Sequence, residues 1–359
     1  MTRFVAEFTT NHMGNLNVLQ RMVERAAWAG CDAIKMQKKD VESFYSREKL
    51  DAPFASPYGK SYRDYRTIFE FCEEDFRRFD AKCREHGIEW FCTVQDLPSL
   101  RFMLDFDLKR YKVASSNARN RPFLEELARN IPRDRTIVMS VGGSTLDQIE
   151  DSLSIFRHHP VWLLHCVAEY PCPPESLRLG NILSLERRFG GPRVTIGYSG
   201  HEIGIAPTFA AIDQGAKIVE RHFCLSRHSF VHHIECSLEP DEFREMVRRD
   251  REGRRPGEGW EDLPETALST HFGMTNVERS FLVEQTYGNR YVGDASRFEA
   301  GRTAKAKREP GVELAPVPAR AQTAEQAARA AEQATRGAEQ GKEARQAKEA
   351  GEVRRRKAA

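Results

Sequence analysis

Residues 195–223 read TIGYSGHEIGIAPTFAAIDQGAKIVERHF, and this stretch says more about the fold than any other. Two runs of strand length, 195–199 and 217–223, flank residues 205–214, which have the length and small side chains of a crossover helix. The pattern predicts a β-α-β unit. His201 and His222 stand at the ends of its two strands, and the carboxyl ends of parallel strands lie side by side.

These two histidines are candidate metal ligands. Two neutral imidazoles that leave coordination positions open suit a divalent ion that also binds water or a substrate oxygen. A pair of histidines is a weak signal by itself, because a buried histidine with a satisfied hydrogen bond has the same appearance in a sequence. At this level both interpretations of His201 and His222 stand.

Strand and helix patterns alternate along the first 255 residues. Apolar runs predict eight strands, at residues 4–8, 33–37, 89–94, 111–115, 136–141, 161–166, 195–199 and 217–223. Helical spacing of apolar residues between them predicts helices that include 16–29, 74–86, 146–158 and 240–251. Eight such repeats predict a (β/α)₈ TIM barrel. A doubly wound open sheet is the alternative, and the absence of a glycine-rich turn after the first strand disfavours it.

The predicted strand ends are polar, and two of them carry lysines inside apolar runs. Lys35 lies in AIKMQ and Lys112 in YKVAS. A buried ammonium group is costly unless an anion or a carboxylate meets it. The lysines therefore predict either structural ion pairs, with Glu7 or Glu220 as partners, or a cradle for phosphate and carboxylate groups.

Short motifs spread over residues 3–250 resemble the N-acetylneuraminate (sialic acid) synthase family. In chain order they are NHMG (11–14), KMQ (35–37), YKVAS (111–115), LHC (164–166), GYSGHE (197–202), ERHF (220–223) and SLEP (237–240). The resemblance implies an enzyme that condenses phosphoenolpyruvate with N-acetylmannosamine or a related sugar aldehyde. The implied products are a nonulosonic acid and phosphate. Because the sequence shows no signal peptide and no apolar run of about 18 residues, we expect a cytoplasmic protein.

The resemblance also implies roles for individual residues. His201 and His222 are expected to hold Mn²⁺ or Mg²⁺, which polarises the sugar aldehyde. Catalytic roles are expected for Glu7, Lys35, Lys112 and His233. Contacts to substrate are expected from Asn11, Gln37, Thr93, Ser115, Ser140, Tyr170 and Ser199.

The chain departs from the family pattern at several positions. His233 stands where an acidic residue is usual in the family. Two interpretations are open: Glu235 takes the place of that acid, or His233 adds a nitrogen ligand to the metal. Ala168 and Val141 replace polar residues. These changes keep two alternatives open: a barrel aldolase or 2-keto acid synthase with a different acceptor, and a catalytically weakened sugar-binding homologue.

The segment beyond the barrel divides into two parts. Residues 256–299 are predicted to pack on the barrel, with a helix at 276–283. Residues 300–359 contain 18 alanines, 14 basic and 8 acidic residues and no aromatic residue, so we expect a flexible or partly helical tail and no antifreeze-like domain. An AEQ motif recurs at 324, 331 and 338, which leaves open a weak coiled coil and a homodimer.

Composition and the segment after the second strand complete the predictions. A net charge of +2 gives no basis for nucleic-acid binding, and we expect neither a membrane span nor disulfides among the eight cysteines. Residues 44–71 form a long aromatic and charged segment. It is predicted either to cover the active-site mouth as a lid or to pack on the outside of the barrel.

Overall fold

The computed structural model describes residues 1–279 and 281–282. In chain order its strands are β1 (Arg3–Glu7), β2 (Ala33–Lys38), β3 (Pro53–Ser56), β4 (Gly59–Ser61), β5 (Glu89–Val94), β6 (Arg110–Val113), β7 (Thr136–Ser140), β8 (Val161–Cys166), β9 (Val194–Gly200) and β10 (Ile218–His222). The α-helices are α1 (Leu16–Ala29), α2 (Val41–Phe44), α3 (Arg47–Asp51), α4 (Tyr62–Thr67), α5 (Glu73–Glu85), α6 (Leu97–Met103), α7 (Arg121–Asn130), α8 (Leu146–Ile155), α9 (Gly180–Phe189), α10 (Ala206–Asp213) and α11 (Pro240–Arg251). Two 3₁₀ helices span Pro174–Ser176 and Glu265–Leu268.

Eight parallel strands close into a barrel in the order β1-β10-β9-β8-β7-β6-β5-β2. Each pair of neighbouring barrel strands that follow one another in the sequence is connected by at least one helix, so the predicted (β/α)₈ barrel is confirmed and the doubly wound sheet is wrong. The pairing register places Glu7 beside both His222 and Lys35, and it places Ser199 beside Glu220. Residues that are far apart in sequence therefore meet at one end of the barrel.

The barrel interior is apolar at one end and polar at the other. Six buried side chains fill the apolar end: Val5, Ala33, Phe91, Val138, Leu164 and Ile218. Alternation along each strand then directs the next inward positions, such as Glu7, Lys35 and Glu220, into the polar end. The apolar layer seals the base and leaves the carboxyl ends of the strands for chemistry.

Local signals explain why α1 keeps its predicted bounds. The Asn15 side chain accepts hydrogen bonds from the backbone amides of Asn17 and Val18, which caps the first turn. Gly30 ends the helix in a left-handed conformation with φ of +84°, which glycine adopts at little cost. Both signals lie in adjacent residues, so they operate independently of the rest of the fold.

Residues 44–71, the lid segment, lie at the mouth of the barrel. The segment includes α3, the β3-β4 hairpin and α4. Its aromatic rings other than Phe71 form one cluster, in which Tyr65 contacts Phe54 and Phe69 at ring-centroid distances of 4.7 and 5.0 Å. Several of its side chains line the central cavity, among them Tyr45, Tyr62 and Arg66. The alternative in which this segment packs only on the outside is therefore wrong.

The described part of the extension contacts the loop after β8 and helix α9. The Leu179 amide donates to Ala267 O at 2.8 Å, and Glu278 Oε1 accepts from the Ala168 amide at 2.9 Å. Residues 276–279 and 281–282 are helical, within the helix predicted at 276–283. The rest of the extension and the predicted tail at 300–359 lie outside the described residues. Within the described part of the chain, no helix combines the length and the apolar character that crossing a bilayer requires.

Candidate active site

A cavity of about 370 Å³ opens at the carboxyl ends of the barrel strands. Side chains from all eight barrel strands or the loops that follow them reach its wall, because parallel strands present their carboxyl ends on one face. The wall contains twelve of the thirteen site residues that the sequence predicts, and Asn11 is the one that lies elsewhere. The twelve are Glu7, Lys35, Gln37, Thr93, Lys112, Ser115, Ser140, Tyr170, Ser199, His201, His222 and His233.

Four charged side chains form a compact cluster at the base of this cavity. Lys35 Nζ lies 2.6 Å from Glu7 Oε2 and 3.4 Å from Glu220 Oε1, and Lys112 Nζ lies 3.1 Å from Glu220 Oε2. All four side chains are at most 5% exposed. The ion pairs that the sequence left open as an alternative are therefore present, and they lie in the wall of the cavity where a ligand can reach them.

Three hydroxyl groups form hydrogen bonds with this charged cluster. Lys35 Nζ donates to Thr93 Oγ1 at 2.8 Å, and Lys112 Nζ donates to Ser140 Oγ at 2.5 Å. Ser199 Oγ donates to Glu220 Oε1 at 3.1 Å. Ammonium and hydroxyl groups held in this way form an ordered set of donors for an anion.

The pKa values of the two glutamates shift in opposite directions, and so do those of the two lysines. Burial raises the pKa of Glu7, although Lys35 acts in the opposite direction. For Glu220 burial also acts to raise the pKa, but Lys112 and Lys35 outweigh it, so the pKa is lowered. Burial lowers the pKa of Lys112, whereas two carboxylates beside Lys35 overcome burial and raise its pKa. Glu7 is thus the carboxylate of the cluster more ready to take a proton.

The rings of His201 and His222 are neighbours in the cavity wall. Their ring centroids are 5.4 Å apart, with 72° between the ring planes. His201 Nδ1 lies 2.7 Å from Val167 O, which fixes Nδ1–H as a donor and leaves Nε2 as the atom with a free lone pair. His222 Nδ1 is buried and has no hydrogen-bond partner among the described residues. Burial lowers the pKa of both imidazoles, so both are neutral, as metal ligands must be.

This arrangement fits a divalent ion bound by two protein nitrogens, with the remaining positions open to oxygen ligands. Within residues 1–279 and 281–282, no three histidine, cysteine or acidic side chains converge into a ready-made metal-binding group. His233 is therefore not part of a preformed three-residue ligand set with His201 and His222. The prediction that it adds a third nitrogen ligand gains no support from the geometry.

Tyr170 separates His233 from His201. Its ring centroid lies 4.0 Å from both imidazole centroids, and the His233 ring lies 6.0 Å from His222. Burial, together with the neighbouring His232, lowers the pKa of His233 to about 3. Its backbone is left-handed, with φ of +65°. His233 is thus a neutral imidazole in the cavity wall, whereas the other candidate at this position, Glu235, is exposed and away from the wall.

Two predicted substrate contacts have different surroundings. Gln37 Nε2 donates to Glu7 Oε1 at 2.7 Å and lies in the cavity wall. Asn11 lies outside the wall, and its amide donates to Phe223 O at 2.8 Å and to Ser237 Oγ at 3.0 Å. Asn11 thus connects the loop after β1 with the segment after β10, and its contact to substrate stays a prediction.

Sequence reasoning missed several residues of the wall. Lys39 lies two positions beyond Gln37 and four beyond Lys35. Side chains at every second position of a strand point to the same face, so extending this alternation past the end of β2 would have predicted Lys39 in the wall. Arg66 and Phe281 come from the lid segment and the extension. No local pattern reports which face of those segments turns toward the cavity, since long-range packing decides it.

Comparison with known proteins places the chain in a family. A model of the NeuB family matches residues 22–255, and the chain belongs to this family. It is 34% identical over 249 residues to an N-acetylneuraminate-9-phosphate synthase of Drosophila melanogaster, covering 68% of this chain and 65% of that protein. It thus spans slightly less than two thirds of the length of that relative.

Two further relatives support the same assignment. An N,N'-diacetyllegionaminic acid synthase of Campylobacter jejuni is 28% identical over 293 residues, covering 79% of this chain and 85% of that protein. The solved structure of an N-acetylneuraminic acid synthetase from Leptospira borgpetersenii matches with 26% identity and a TM-score of 0.60, covering 79% of this chain and 91% of that one. The chain, a member of the NeuB family, is thus similar to N-acetylneuraminate and N,N'-diacetyllegionaminic acid synthases.

Proposed function

We propose that this protein condenses phosphoenolpyruvate with the open-chain aldehyde of N-acetylmannosamine or a related sugar, to give a nonulosonic acid and phosphate. One observation supports this most directly. The neutral pair His201 and His222 faces the same cavity as the buried Lys35 and Lys112, in a chain of the NeuB family. The first pair suits an uncharged aldehyde oxygen beside a metal ion, and the second suits an anion.

Phosphoenolpyruvate is assigned to the lysine end of the cavity. Lys35, Lys112 and the hydroxyl-bearing side chains near them supply donors for its phosphate and carboxylate groups. Ser115 belongs to this end as well, because its Oγ accepts from the Gly142 amide at 3.0 Å and so has a fixed position beside the loop after β7. Donors that are already ordered stabilise charge as it redistributes, without reorganisation at the moment of reaction.

The sugar aldehyde is assigned to the histidine end. His201 and His222 would hold a divalent ion, Mn²⁺ or Mg²⁺, which when bound supplies Lewis-acid polarisation of a carbonyl oxygen. Tyr170 packs against His201 and His233 and holds both imidazoles in position. Side chains of the lid segment line the same cavity, where they would limit the access of water to the reacting groups.

The bond changes follow from the two positions. C3 of phosphoenolpyruvate forms a bond to the aldehyde carbon while the C=O π bond opens and its oxygen takes a proton to become a hydroxyl group. Water adds to C2 and gives up a proton, and the C2–O bond to phosphate then breaks as the new C2 hydroxyl loses its proton, which leaves a ketone and inorganic phosphate. Glu7 is the carboxylate we assign to accept the proton of the water, since its raised pKa and its hydrogen bond from Gln37 suit a base. Lys35 Nζ, 2.6 Å from Glu7 Oε2, would stabilise the negative charge of the Glu7 carboxylate before it accepts the proton.

A second candidate, a 2-keto acid synthase with a different acceptor, is favoured by one feature of the wall. Ala168 lies in the cavity beside the residues assigned to the sugar, and it offers no hydrogen bond from its side chain. An acceptor with an apolar substituent at that point would fit it better than a hydroxyl group, since an unpaired buried hydroxyl costs about 1–3 kcal/mol. A panel of acceptors distinguishes the two functions.

The test is phosphate release from phosphoenolpyruvate in the presence of Mn²⁺ and a panel of mannose-type sugars. We expect sugar-dependent release that is lost in His201→Ala and His222→Ala. His86→Ala is the matched control, because His86 is exposed and outside the cavity. Release that persists in both cavity variants, or none with any acceptor, would contradict the proposal.

A further inference from the structure

The last described part of the extension contacts the loops that follow β7 and β8. We call residues 271–279 and 281–282 the strap. The Gly273 amide donates to Ser144 O, in the loop after β7, at 3.1 Å. Phe281 and Leu282, at the far end of the strap, lie in the cavity wall. The strap therefore belongs to the surroundings of the site, although it follows the last strand-helix unit of the barrel.

The Glu278 carboxylate joins the strap to the loop after β8. Glu278 is 1% exposed. Its Oε2 accepts from the Thr275 amide at 2.9 Å, and Thr275 Oγ1 accepts from the Glu278 amide at 2.9 Å, which is a capping box at the start of a helix. The other oxygen, Oε1, accepts at 2.9 Å from the amide of Ala168, which lies 110 residues earlier in the chain. A buried amide without a partner is costly, so Glu278 fixes the Ala168 amide in place.

One planar peptide group lies between Glu278 and His201. Its N–H is the Ala168 amide, and its C=O is that of Val167, whose oxygen lies 2.7 Å from His201 Nδ1. Partial double-bond character keeps the N–H and the C=O in one plane, pointing in opposite directions. A carboxylate on the N–H side therefore orients this peptide group and polarises its carbonyl oxygen, which strengthens the bond from the imidazole.

The bond between His201 and Val167 O has a competitor. Cys166 Sγ lies 3.8 Å from His201 Nδ1, and the Ser115 hydroxyl donates to the same sulfur at 3.6 Å. The Cys166 thiol can donate its hydrogen to Nδ1, whereas Val167 O can only accept one from it. In the first arrangement Nε2 carries the ring proton and cannot bind a metal ion. In the second arrangement the lone pair of Nε2 is free.

We propose that Glu278 is a positioning residue for His201: through the peptide group of Val167 and Ala168 it holds the imidazole as the Nδ1–H tautomer and keeps Nε2 free for a metal ion. The inference rests on the proposed function, in which His201 is a metal ligand. It gives the strap a role in the site through the backbone of another loop.

Nitrogen-15 NMR of histidine-labelled, full-length protein without metal measures the tautomer directly. The signal of His201 is the one that is missing from His201→Ala. We expect the Nδ1–H tautomer in wild-type protein and in Glu278→Gln, whose side-chain oxygen can still accept from the Ala168 amide. Glu278→Ala and Glu278→Met remove that acceptor, and Met fills the space of the glutamate. In both variants we expect the His201 signal to shift toward the Nε2–H tautomer.

Calorimetric titration with Mn²⁺ measures the consequence for the site. Loss of an outer partner of a metal ligand costs about 10- to 100-fold in affinity, so we expect the dissociation constant for Mn²⁺ to rise about tenfold in Glu278→Ala and Glu278→Met. Glu278→Gln should bind Mn²⁺ nearly as wild-type protein does. Asn181→Ala is the matched control, because buried Asn181 makes two hydrogen bonds to the backbone of His271. It should loosen the strap and leave both the tautomer and the affinity for Mn²⁺ unchanged.

The two measurements separate this inference from the proposed function. If wild-type protein binds no Mn²⁺, the metal-dependent function fails, and the tautomer in the variants at position 278 still decides the role of Glu278. A wild-type tautomer in the folded Ala or Met variant would overturn the inference. An equal loss of Mn²⁺ affinity in Asn181→Ala would also overturn it, since loosening of the strap would then explain the effect.

Discussion

Arg221 Nη1 lies 2.7 Å from Glu202 Oε1, and both side chains are at most 1% exposed. Glu202 directly follows His201, and Arg221 directly precedes His222. Arg221 also donates to Glu202 O at 2.7 Å, so the pair connects the loop that bears one histidine with the strand that bears the other. The spacing of the two imidazoles thus depends on an ion pair behind the cavity.

We predict that Glu202→Gln destabilises the protein by about 3–5 kcal/mol, because Arg221 then retains a buried charge without its counterion. Urea unfolding measures the change. Glu186→Gln is the matched control, since its pair with Lys217 is partly exposed and is expected to contribute at most about 1 kcal/mol. Equal unfolding midpoints for the two variants would show that the buried pair adds no more than the surface one.

A second prediction concerns Lys112. Lys112→Met removes an ammonium group that contacts Ser140 and Glu220, and we expect phosphate release to fall at least about 100-fold, the loss typical of one preorganised donor. KM for phosphoenolpyruvate should rise as well. Lys217→Met, at a partly exposed lysine outside the cavity, should retain full activity. A variant at position 112 that retains wild-type kinetics would remove Lys112 from the anion site.

A third prediction concerns pH and His165, which is 3% exposed and bonds through Nε2 to Leu177 O. Burial lowers the pKa of His165 to about 4, below its ordinary value of 6.5. The unfolded chain therefore binds the proton more tightly, so stability is present above about pH 6.5 and is lost as pH falls toward 4. This histidine accounts for about 3 kcal/mol of that loss.

Urea unfolding at pH 7.5 and pH 4.5 checks this prediction. His165→Gln, which retains a donor for Leu177 O, should lose less stability between the two pH values than wild-type protein does. Other buried histidines contribute equally to both proteins and cancel in the comparison. His86→Gln should behave as wild type because His86 is exposed. Equal losses in His165→Gln and wild type would mean that His165 titrates normally in the folded state.

A fourth prediction concerns the proposed metal. Mn²⁺ at 100 times its dissociation constant should stabilise the folded protein by about 2.7 kcal/mol, and a chelator should reverse the effect. Neither His201→Ala nor His222→Ala should respond, whereas His86→Ala should respond fully. Thermal unfolding with and without Mn²⁺ measures this independently of activity. A response that survives in both cavity variants would place the ion elsewhere.

Much of the fold follows from signals that lie close together in the sequence. Predicted strands 89–94 and 161–166 coincide with β5 and β8, since an apolar run and its polar boundaries are local features. The strand predicted at 111–115 ends earlier, at Val113, because the chain turns where the Asn117 amide bonds to Ala114 O at 2.9 Å. The apolar run alone gave no sign of that turn.

The site was predictable where the chemistry of a residue conflicts with its surroundings. Lys35 and Lys112 stand out as charges in apolar strands, and both lie in the cavity wall. Arg66 has no such contrast, because it lies in a polar segment whose packing depends on distant residues. Phe281 likewise enters the wall through contacts of the extension with the loop after β8.

The lid segment has a consequence for how this protein changes over evolutionary time. It is one uninterrupted insertion between β2 and α5, while the charged cluster at the cavity base is assembled from β1, β2, β6 and β10, outside the lid segment. Replacing this one stretch of chain would alter what the mouth admits and leave the bond-forming groups in place. If the proposed condensation is correct, its acceptor could change through this one segment while the charged cluster stays as it is.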